Sequence, residues 1–126
     1  MGVRGQSQTR KITQPKSRIE VREHPNFAKY REKVKASQNA QDKYLDKLID
    51  NAIDLIGQRR TVGEQVQRNL WPEEYCAMDI PCLFLYKLDD NYRMTYSLVR
   101  TKGIPLFAWI IEVMDHTEYN RRFGYD

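Results

Sequence analysis

The sequence of 126 residues has little cysteine, little histidine and no long hydrophobic run. No apolar stretch approaches the roughly 20 residues that cross a bilayer, and the N-terminus lacks the hydrophobic segment of a secretory signal. Cys76 and Cys82 are six residues apart, and neither histidine is near them in sequence, so this spacing fits no metal site. We therefore expect a cytoplasmic protein with reduced thiols, no membrane association, no metal and no cofactor.

Acidic residues are absent from residues 1–16, which contain four of the chain's 21 basic residues. The rest of the chain carries 17 residues of each sign, so this segment accounts for the net charge of +4. Its polar composition predicts a disordered basic tail over residues 1–16, followed by a single domain over residues 17–126. The tail is either simply solvated or an electrostatic arm that speeds docking on RNA or the ribosome. Because the domain itself is neutral, a nucleic-acid site within it has to be a local basic cluster.

The first part of the domain predicts one strand and two helices. Residues 17–23 alternate between polar and apolar side chains, which is typical of a short strand. Residues 25–36 begin with proline, which favours a helix start, and continue with apolar residues three and four apart. Residues 44–57 repeat the helical period most strongly and close on glycine. We expect a helical hairpin whose apolar stripe belongs to the core, and then a connection over residues 59–81, in which residues 64–69 allow a further helical turn.

The last third of the chain predicts an antiparallel meander. Its three strands are Cys82–Leu88, Tyr92–Val99 and Leu106–Met114, with a three-residue turn between the first two. Since a lone strand is unstable, the N-terminal strand must join this sheet. The fold class is therefore α+β, with the helical hairpin on one face of a mostly antiparallel sheet and the other face open. A short C-terminal helical segment follows, which Asp115 and Glu118 begin as a capping box.

The turn between the first two meander strands predicts their register. Pairing of Leu88 with Tyr92 collects the apolar residues of both strands on one face and sets Lys87 opposite Arg93 on the other. Two cations in these positions repel each other. Either each cation has its own acid or water on an exposed face, or the two form a phosphate site, which relieves the repulsion.

Further candidates lie on the last strand and the segment after it. Alternation along the strand places Glu112 on the same face as Ile110 and Met114. In this apolar strand it is either an ion partner of Arg93 or a proton acceptor. His116, in the first turn of the C-terminal segment, is either an acid–base group or a surface histidine in a helix cap. The same segment carries an aromatic residue that either stacks on a base or packs, Tyr119, and an aromatic and basic terminus typical of RNA binders, Arg121, Arg122 and Tyr125.

Five segments, in the same order and with short spacings, resemble the RelE/ParE toxin superfamily, and in particular its archaeal-type RelE-like branch. They are Leu70–Tyr75 (LWPEEY), Leu85–Leu88 (LYKL), Tyr92–Tyr96 (YRMTY), Ile111–Tyr119 (IEVMDHTEY) and Arg122–Tyr125 (RFGY). The resemblance covers residues 70–125 closely and residues 17–60 in outline. It implies the RelE-like fold, in which RNA binds the open concave face of the sheet.

The resemblance also implies a function, that of the toxin of a type II toxin–antitoxin system. Such a toxin is a metal-independent endoribonuclease that cuts mRNA on the ribosome, where the 2′-hydroxyl attacks the adjacent phosphate and leaves a 2′,3′-cyclic phosphate. Arg93 would bind the phosphate with help from Lys87, while His116 and Tyr119 would supply acid–base and stacking groups. Further RNA contacts are expected from Arg100, Arg121, Arg122 and Tyr125.

The implied partners are mRNA, the ribosome and a cognate antitoxin. The antitoxin is expected to be an acidic protein, encoded next to this chain, that wraps around the toxin and displaces or blocks its C-terminal segment. Bacterial members often carry two lysines two residues apart on the middle strand, where this chain has Leu85 and Lys87. They also often carry an arginine near the end of the last strand, where His116 is the nearest residue here, and their charge is more basic. The alternative function is a non-catalytic binding module on the same fold, either a gyrase-poisoning ParE-like toxin or a degenerate member retained for its partner contacts.

Overall fold

The computed structural model describes residues 18–59 and 62–125, with residues 104 and 105 described by their backbone only. The tail predicted over residues 1–16 lies outside the described residues. The elements in chain order are β1 (Glu20–Glu23), α1 (Pro25–Ala36), α2 (Ala40–Gly57), β2 (Glu64–Gln65), a 3-10 turn (Arg68–Leu70), α3 (Glu73–Cys76), β3 (Phe84–Lys87), β4 (Tyr92–Thr101), β5 (Ile104–Asp115) and α4 (His116–Phe123). No described helix is both long enough and apolar enough to cross a membrane.

The strands form one mixed five-stranded sheet in the order β1-β5-β4-β3-β2. β1 runs parallel to β5, and the other neighbours are antiparallel. The α+β class, the order of strand, two helices and meander, and the C-terminal helix are confirmed. Strand β1 joins the sheet at the far edge of β5, where the backbone N–H of His24 continues the pairing to the carbonyl of Ile110 at 2.8 Å.

Capping side chains explain where the two long helices begin. The Nδ1 atom of His24 accepts a hydrogen bond from the N–H of Asn26 at 3.0 Å, and Pro25 takes the first position of α1. The side chain of Asn39 accepts from the N–H groups of Gln41 and Asp42, so α2 begins at residue 40, four residues before the start predicted from its apolar period. An apolar period marks only the buried part of a helix, whereas the cap sets its first turn.

The predicted register of the hairpin is confirmed, with Lys87 paired to Arg93 and Tyr86 to Met94. Asp89 holds the turn, because its carboxylate accepts hydrogen bonds from the N–H groups of Asn91 at 2.8 Å and Tyr92 at 2.9 Å. Such a side-chain-to-backbone turn is a common role of Asp. It fixes which residues of β3 and β4 share a face.

Helices α1 and α2 pack on the sheet face predicted to be apolar. Met94, Tyr96 and Ile110 point into this layer and meet helix residues that include Leu45 and Ile49, all fully or almost fully buried. Burying a side chain of this size stabilises the fold by about 2 kcal/mol before entropy is counted. This layer is the main core of the protein.

The prediction that the second face is open was wrong in part. The segment between α2 and β3 and the helix α4 cover much of it with a second apolar cluster, which includes Trp71, Tyr75, Leu83 and Ile111. The indole Nε1 of Trp71 donates a hydrogen bond to the carbonyl of Val66 at 2.9 Å. Burial of Trp71 and Tyr75 in this cluster anchors the connection on the sheet, and only the end of the face near β2 and β3 is left as a groove.

Two local predictions on this face were also wrong, the first of them in part. Residues 64 and 65 form the short strand β2, antiparallel to β3, so the helical turn predicted over residues 64–69 is present only from Arg68, where the 3-10 turn begins. A bulge in β5 places Ile110 opposite Tyr96 in the main core, while Glu112 lies opposite Thr95 on the second face. Glu112 therefore shares a face with Met114 but not with Ile110, because the extra residue of a bulge reverses the alternation of the strand.

Candidate functional site

A groove of about 880 Å³ lies on the second face of the sheet. The chain from β2 to the 3-10 turn forms one wall, the end of α4 and the residues after it form the other, and β3 and β4 form the floor. Four of the residues predicted for the site line it, namely Lys87, Arg93, Tyr119 and Tyr125. The hairpin register brings the first two together, and the turn of the chain at Asp115 brings the other two over them.

Arg93 presents its positive charge to this groove. Its Nη1 atom donates to the backbone carbonyl of Asp89 at 2.8 Å, and its guanidinium carbon lies 5.0 Å from the centre of the Tyr119 ring. No carboxylate of the described residues lies within salt-bridge distance of Arg93. The backbone carbonyls and the ring hold the side chain in place while no described carboxylate contacts it directly, which suits the binding of a phosphate.

Lys87 is more loosely held than Arg93. Its Nζ atom lies 3.0 Å from the carboxylate of Asp90, and the two side chains are 59% and 93% exposed. The hydrogen bond from Lys87 lowers the pKa of Asp90, yet an ion pair this exposed contributes little to stability. Lys87 can therefore leave Asp90 for a stronger anion in the groove without unfolding anything.

Two tyrosines form the aromatic wall above Arg93. The ring of Tyr119 lies 5.5 Å from that of Tyr125 and 5.1 Å from that of Phe123. Partial burial raises the pKa of Tyr119, and Tyr125 and Glu64 act in the same direction, whereas Arg93 opposes them. Tyr119 therefore stays protonated at neutral pH, so it can donate a hydrogen bond or stack on a base but is a poor proton acceptor.

Glu112 does not reach the groove. Its carboxylate receives two hydrogen bonds from Arg122, at 2.7 and 3.2 Å, and one from the hydroxyl of Tyr75 at 2.5 Å. The ion partner of Glu112 is thus Arg122 and not the predicted Arg93. Burial, followed by the charge of Glu112, raises the pKa of Tyr75, which keeps this hydroxyl a donor.

Arg122 is committed to the same network. Besides Glu112, it contacts the carboxylate of Glu118 at 2.8 Å and that of Glu74 at 3.6 Å, and its side chain is only 15% exposed. These contacts tie α4 to β5 and to α3. In this geometry Arg122 positions α4 and offers no charge to an RNA.

Three other predicted residues lie outside the groove. His116 is exposed at the first position of α4, and Arg121 pairs with Glu118 on the outer side of that helix. Arg100 is exposed seven residues along β4 from Arg93. At about 3.3 Å per residue it is about 23 Å away, at the other end of the sheet.

Sequence reasoning missed Glu64 and Tyr75 as parts of this region. Glu64 belongs to a two-residue strand, which is too short to produce any periodic signal. Tyr75 lies in the segment Leu70–Tyr75, but its role depends on two distant residues, Glu112 and Thr95. The hydroxyl groups of Tyr75 and Thr95 form a hydrogen bond of 3.1 Å. The local sequence gives no sign of these two contacts, because Thr95 is 20 positions and Glu112 is 37 positions from Tyr75.

Comparisons with protein-family models, curated proteins and solved structures gave no match to this chain. Within the described residues, no group of three or more histidine, cysteine, aspartate or glutamate side chains is arranged to hold a metal ion.

Proposed function

We propose that this chain is the toxin of a type II toxin–antitoxin system, an RelE-like endoribonuclease that cuts mRNA on the ribosome. One observation carries the proposal, namely that Arg93 brings a guanidinium without a salt bridge to any described carboxylate into a groove with a lysine and a pair of tyrosines. A phosphate needs the cations, and an unstacked base needs the rings. The resemblance of residues 70–125 to the RelE/ParE superfamily supports the same conclusion from the sequence.

In the proposed reaction, the scissile phosphate binds Arg93, and Lys87 moves from Asp90 to the same phosphate. Negative charge increases on the phosphate oxygens as the 2′-hydroxyl attacks, and a guanidinium fixed in advance stabilises that charge. Tyr119 and Tyr125 stack on a neighbouring base and hold the ribose in line for attack. The products are a 2′,3′-cyclic phosphate and a 5′-hydroxyl.

The partner in this proposal is an acidic antitoxin. Its carboxylates would compete with RNA for the groove cations, or it would move α4 and with it the tyrosine wall. The antitoxin does not have to cover Arg100 or the exposed side of α2 to block the site.

The second candidate is a non-catalytic binding module, either a gyrase-poisoning toxin or a degenerate member. Two observations favour it: His116 does not line the groove, and the carboxylate of Glu112 is occupied by Arg122 and Tyr75. Two of the acid–base groups expected from the sequence are therefore unsuited to act on a phosphate at Arg93.

Induction of the chain in cells separates these functions. Growth is followed, and transcripts are mapped by primer extension shortly after induction, for the wild type, Arg93→Ala and the control Arg100→Ala. If the chain is a nuclease, the wild type and Arg100→Ala should produce new cuts inside translated codons and arrest growth. Arg93→Ala should do neither. Arrest without cuts, together with loss of DNA supercoiling, would favour the gyrase poison and contradict the nuclease.

A further inference from the structure

The proposed reaction requires a group that accepts the proton of the 2′-hydroxyl. Among the described residues that line the groove there is no histidine, and Glu64 is the single carboxylate. Tyr119 stays protonated, and the cations Lys87 and Arg93 are not proton acceptors. His116 lies outside the groove, so Glu64 is the remaining candidate.

The register of the sheet places Glu64 on the groove side. Glu64 pairs with Leu85, which in turn pairs with Thr95, and cross-strand partners share a face. Lys87 and Arg93 form the next pair on this same face. Across two strand spacings and two residues, the backbones of Glu64 and Arg93 are about 12 Å apart, so the two long side chains can reach opposite ends of one ribose phosphate.

The backbone that carries Glu64 is held firmly. Gly63 has φ +79°, and a Cβ atom there would lie 2.3 Å from the carbonyl oxygen of Leu85, so this position accepts only glycine. The hydroxyl of Tyr96 donates to the carbonyl of Val62 at 2.6 Å, and the N–H of Val66 donates to the carbonyl of Leu83 at 2.8 Å. A side chain on such a fixed backbone meets a substrate in a defined place.

The carboxylate of Glu64 is also available. No lysine or arginine of the described part of the chain lies within salt-bridge distance of it, although the groove contains two cations. A carboxylate beside a phosphate site weakens phosphate binding through repulsion. Its presence is explained if it acts on the ribose and not on the phosphate.

We propose that Glu64 is the general base of the cleavage reaction, an inference that rests on the nuclease function proposed above. The Glu64 carboxylate takes the proton of the 2′-hydroxyl as the 2′-oxygen forms its bond to phosphorus. The bond from phosphorus to the 5′-oxygen breaks, and the hydroxyl of Tyr119 or water returns a proton to that oxygen. When Tyr119 is the donor, the Glu64 carboxyl group afterwards gives its proton to the Tyr119 phenolate. When water is the donor, the carboxyl group gives its proton to the resulting hydroxide, so either route restores the starting state without another reactant.

The test uses the purified full chain with ribosomes carrying a defined mRNA, and with the same RNA free in solution. Glu64→Gln keeps the shape of the side chain but cannot accept the proton, Glu64→Asp keeps the carboxylate, and Glu32→Gln changes an exposed glutamate on α1 as the control. Binding is measured separately with RNA that carries a single 2′-deoxy residue at the cut position. Thermal unfolding establishes that each variant is folded.

We expect Glu64→Gln to cut at least about 100-fold more slowly than the wild type, the usual effect of losing a general base. Its affinity for the 2′-deoxy RNA stays unchanged or rises, Glu64→Asp keeps part of the activity, and Glu32→Gln cuts like the wild type. If Glu64→Gln cuts at the wild-type rate, whether at the same or at different nucleotides, Glu64 is not the general base, while the proposed nuclease function still stands. Loss of binding in proportion to loss of cutting would also overturn the assignment of Glu64 as the general base. A wild-type protein that cuts neither substrate would overturn the proposed nuclease as well.

Discussion

Replacing Glu112 with Gln keeps the shape of the side chain and removes the charge that Arg122 faces. Arg122 and Glu112 are 15% and 16% exposed, which places their pair between a fully buried ion pair and a surface one. Breaking a buried pair costs about 3–5 kcal/mol, whereas exposed pairs contribute about 0.2–1 kcal/mol. The hydrogen bond from Tyr75 also loses its charged acceptor. We expect the free energy of unfolding to fall by about 2–3 kcal/mol.

Urea unfolding measures this loss, and at about 4 °C per kcal/mol the midpoint of thermal unfolding should fall by about 8–12 °C. Amide hydrogen exchange in α4 should accelerate most, because the network ties this helix to the sheet. Arg18→Gln is the control, since it breaks an ion pair with Asp54 whose side chains are 48% and 59% exposed, and it should cost no more than about 0.5 kcal/mol. Equal losses in Glu112→Gln and Arg18→Gln would show that the Glu112–Arg122 pair contributes no more than an exposed pair, which contradicts this prediction.

Two further predictions concern stability. Gly63→Ala forces a side chain onto a positive φ and against the carbonyl of Leu85, so it should cost more than about 2 kcal/mol. Gly103→Ala, with φ +81° and no atom within 4 Å, should cost about 1 kcal/mol, and equal costs in urea unfolding would contradict the packing at β2. Burial is the main cause that raises the pKa of Tyr30 and of Tyr96 to about 12. Because an unfolded tyrosine ionises near pH 10, the stability from these neutral phenols is complete below about pH 10 and is lost towards about pH 12. Across this pH range the free energy of unfolding, measured with urea, should fall as the absorbance of ionised tyrosine rises. A free energy of unfolding that stays constant across the range would contradict this prediction.

The sequence predicts the hairpin register well because two independent signals agree there. The turn residues at 89–91 and the alternation in β3 and β4 allow one pairing, and that pairing sets Lys87 opposite Arg93. Helix α2 is equally clear, since its apolar period continues for several turns. Both signals are local, so the fold class can be obtained without knowledge of distant contacts.

The composition of the site is harder to predict from sequence. β5 is apolar on both faces, so its sequence gives no sign of the bulge that turns Glu112 away from Ile110. Arg121 and Arg122 are adjacent, and only the packing of α4 on the sheet decides that Arg122 turns inward to Glu112. His116 lies outside the groove for the same reason, because tertiary contacts and not the helix cap set the orientation of α4.

The proposed function requires the groove around Arg93 to bind single-stranded RNA through a phosphate. This binding is measured by fluorescence anisotropy of a labelled RNA oligonucleotide across a range of salt concentrations, for the wild type, Arg93→Ala and Arg100→Ala. Each phosphate contact on a single strand contributes about 0.7 to the slope of log affinity against log salt. Arg93→Ala should weaken binding and reduce this slope by about 0.7, while Arg100→Ala leaves both unchanged. Equal effects of the two substitutions, or no binding by the wild type, would contradict RNA binding in this groove.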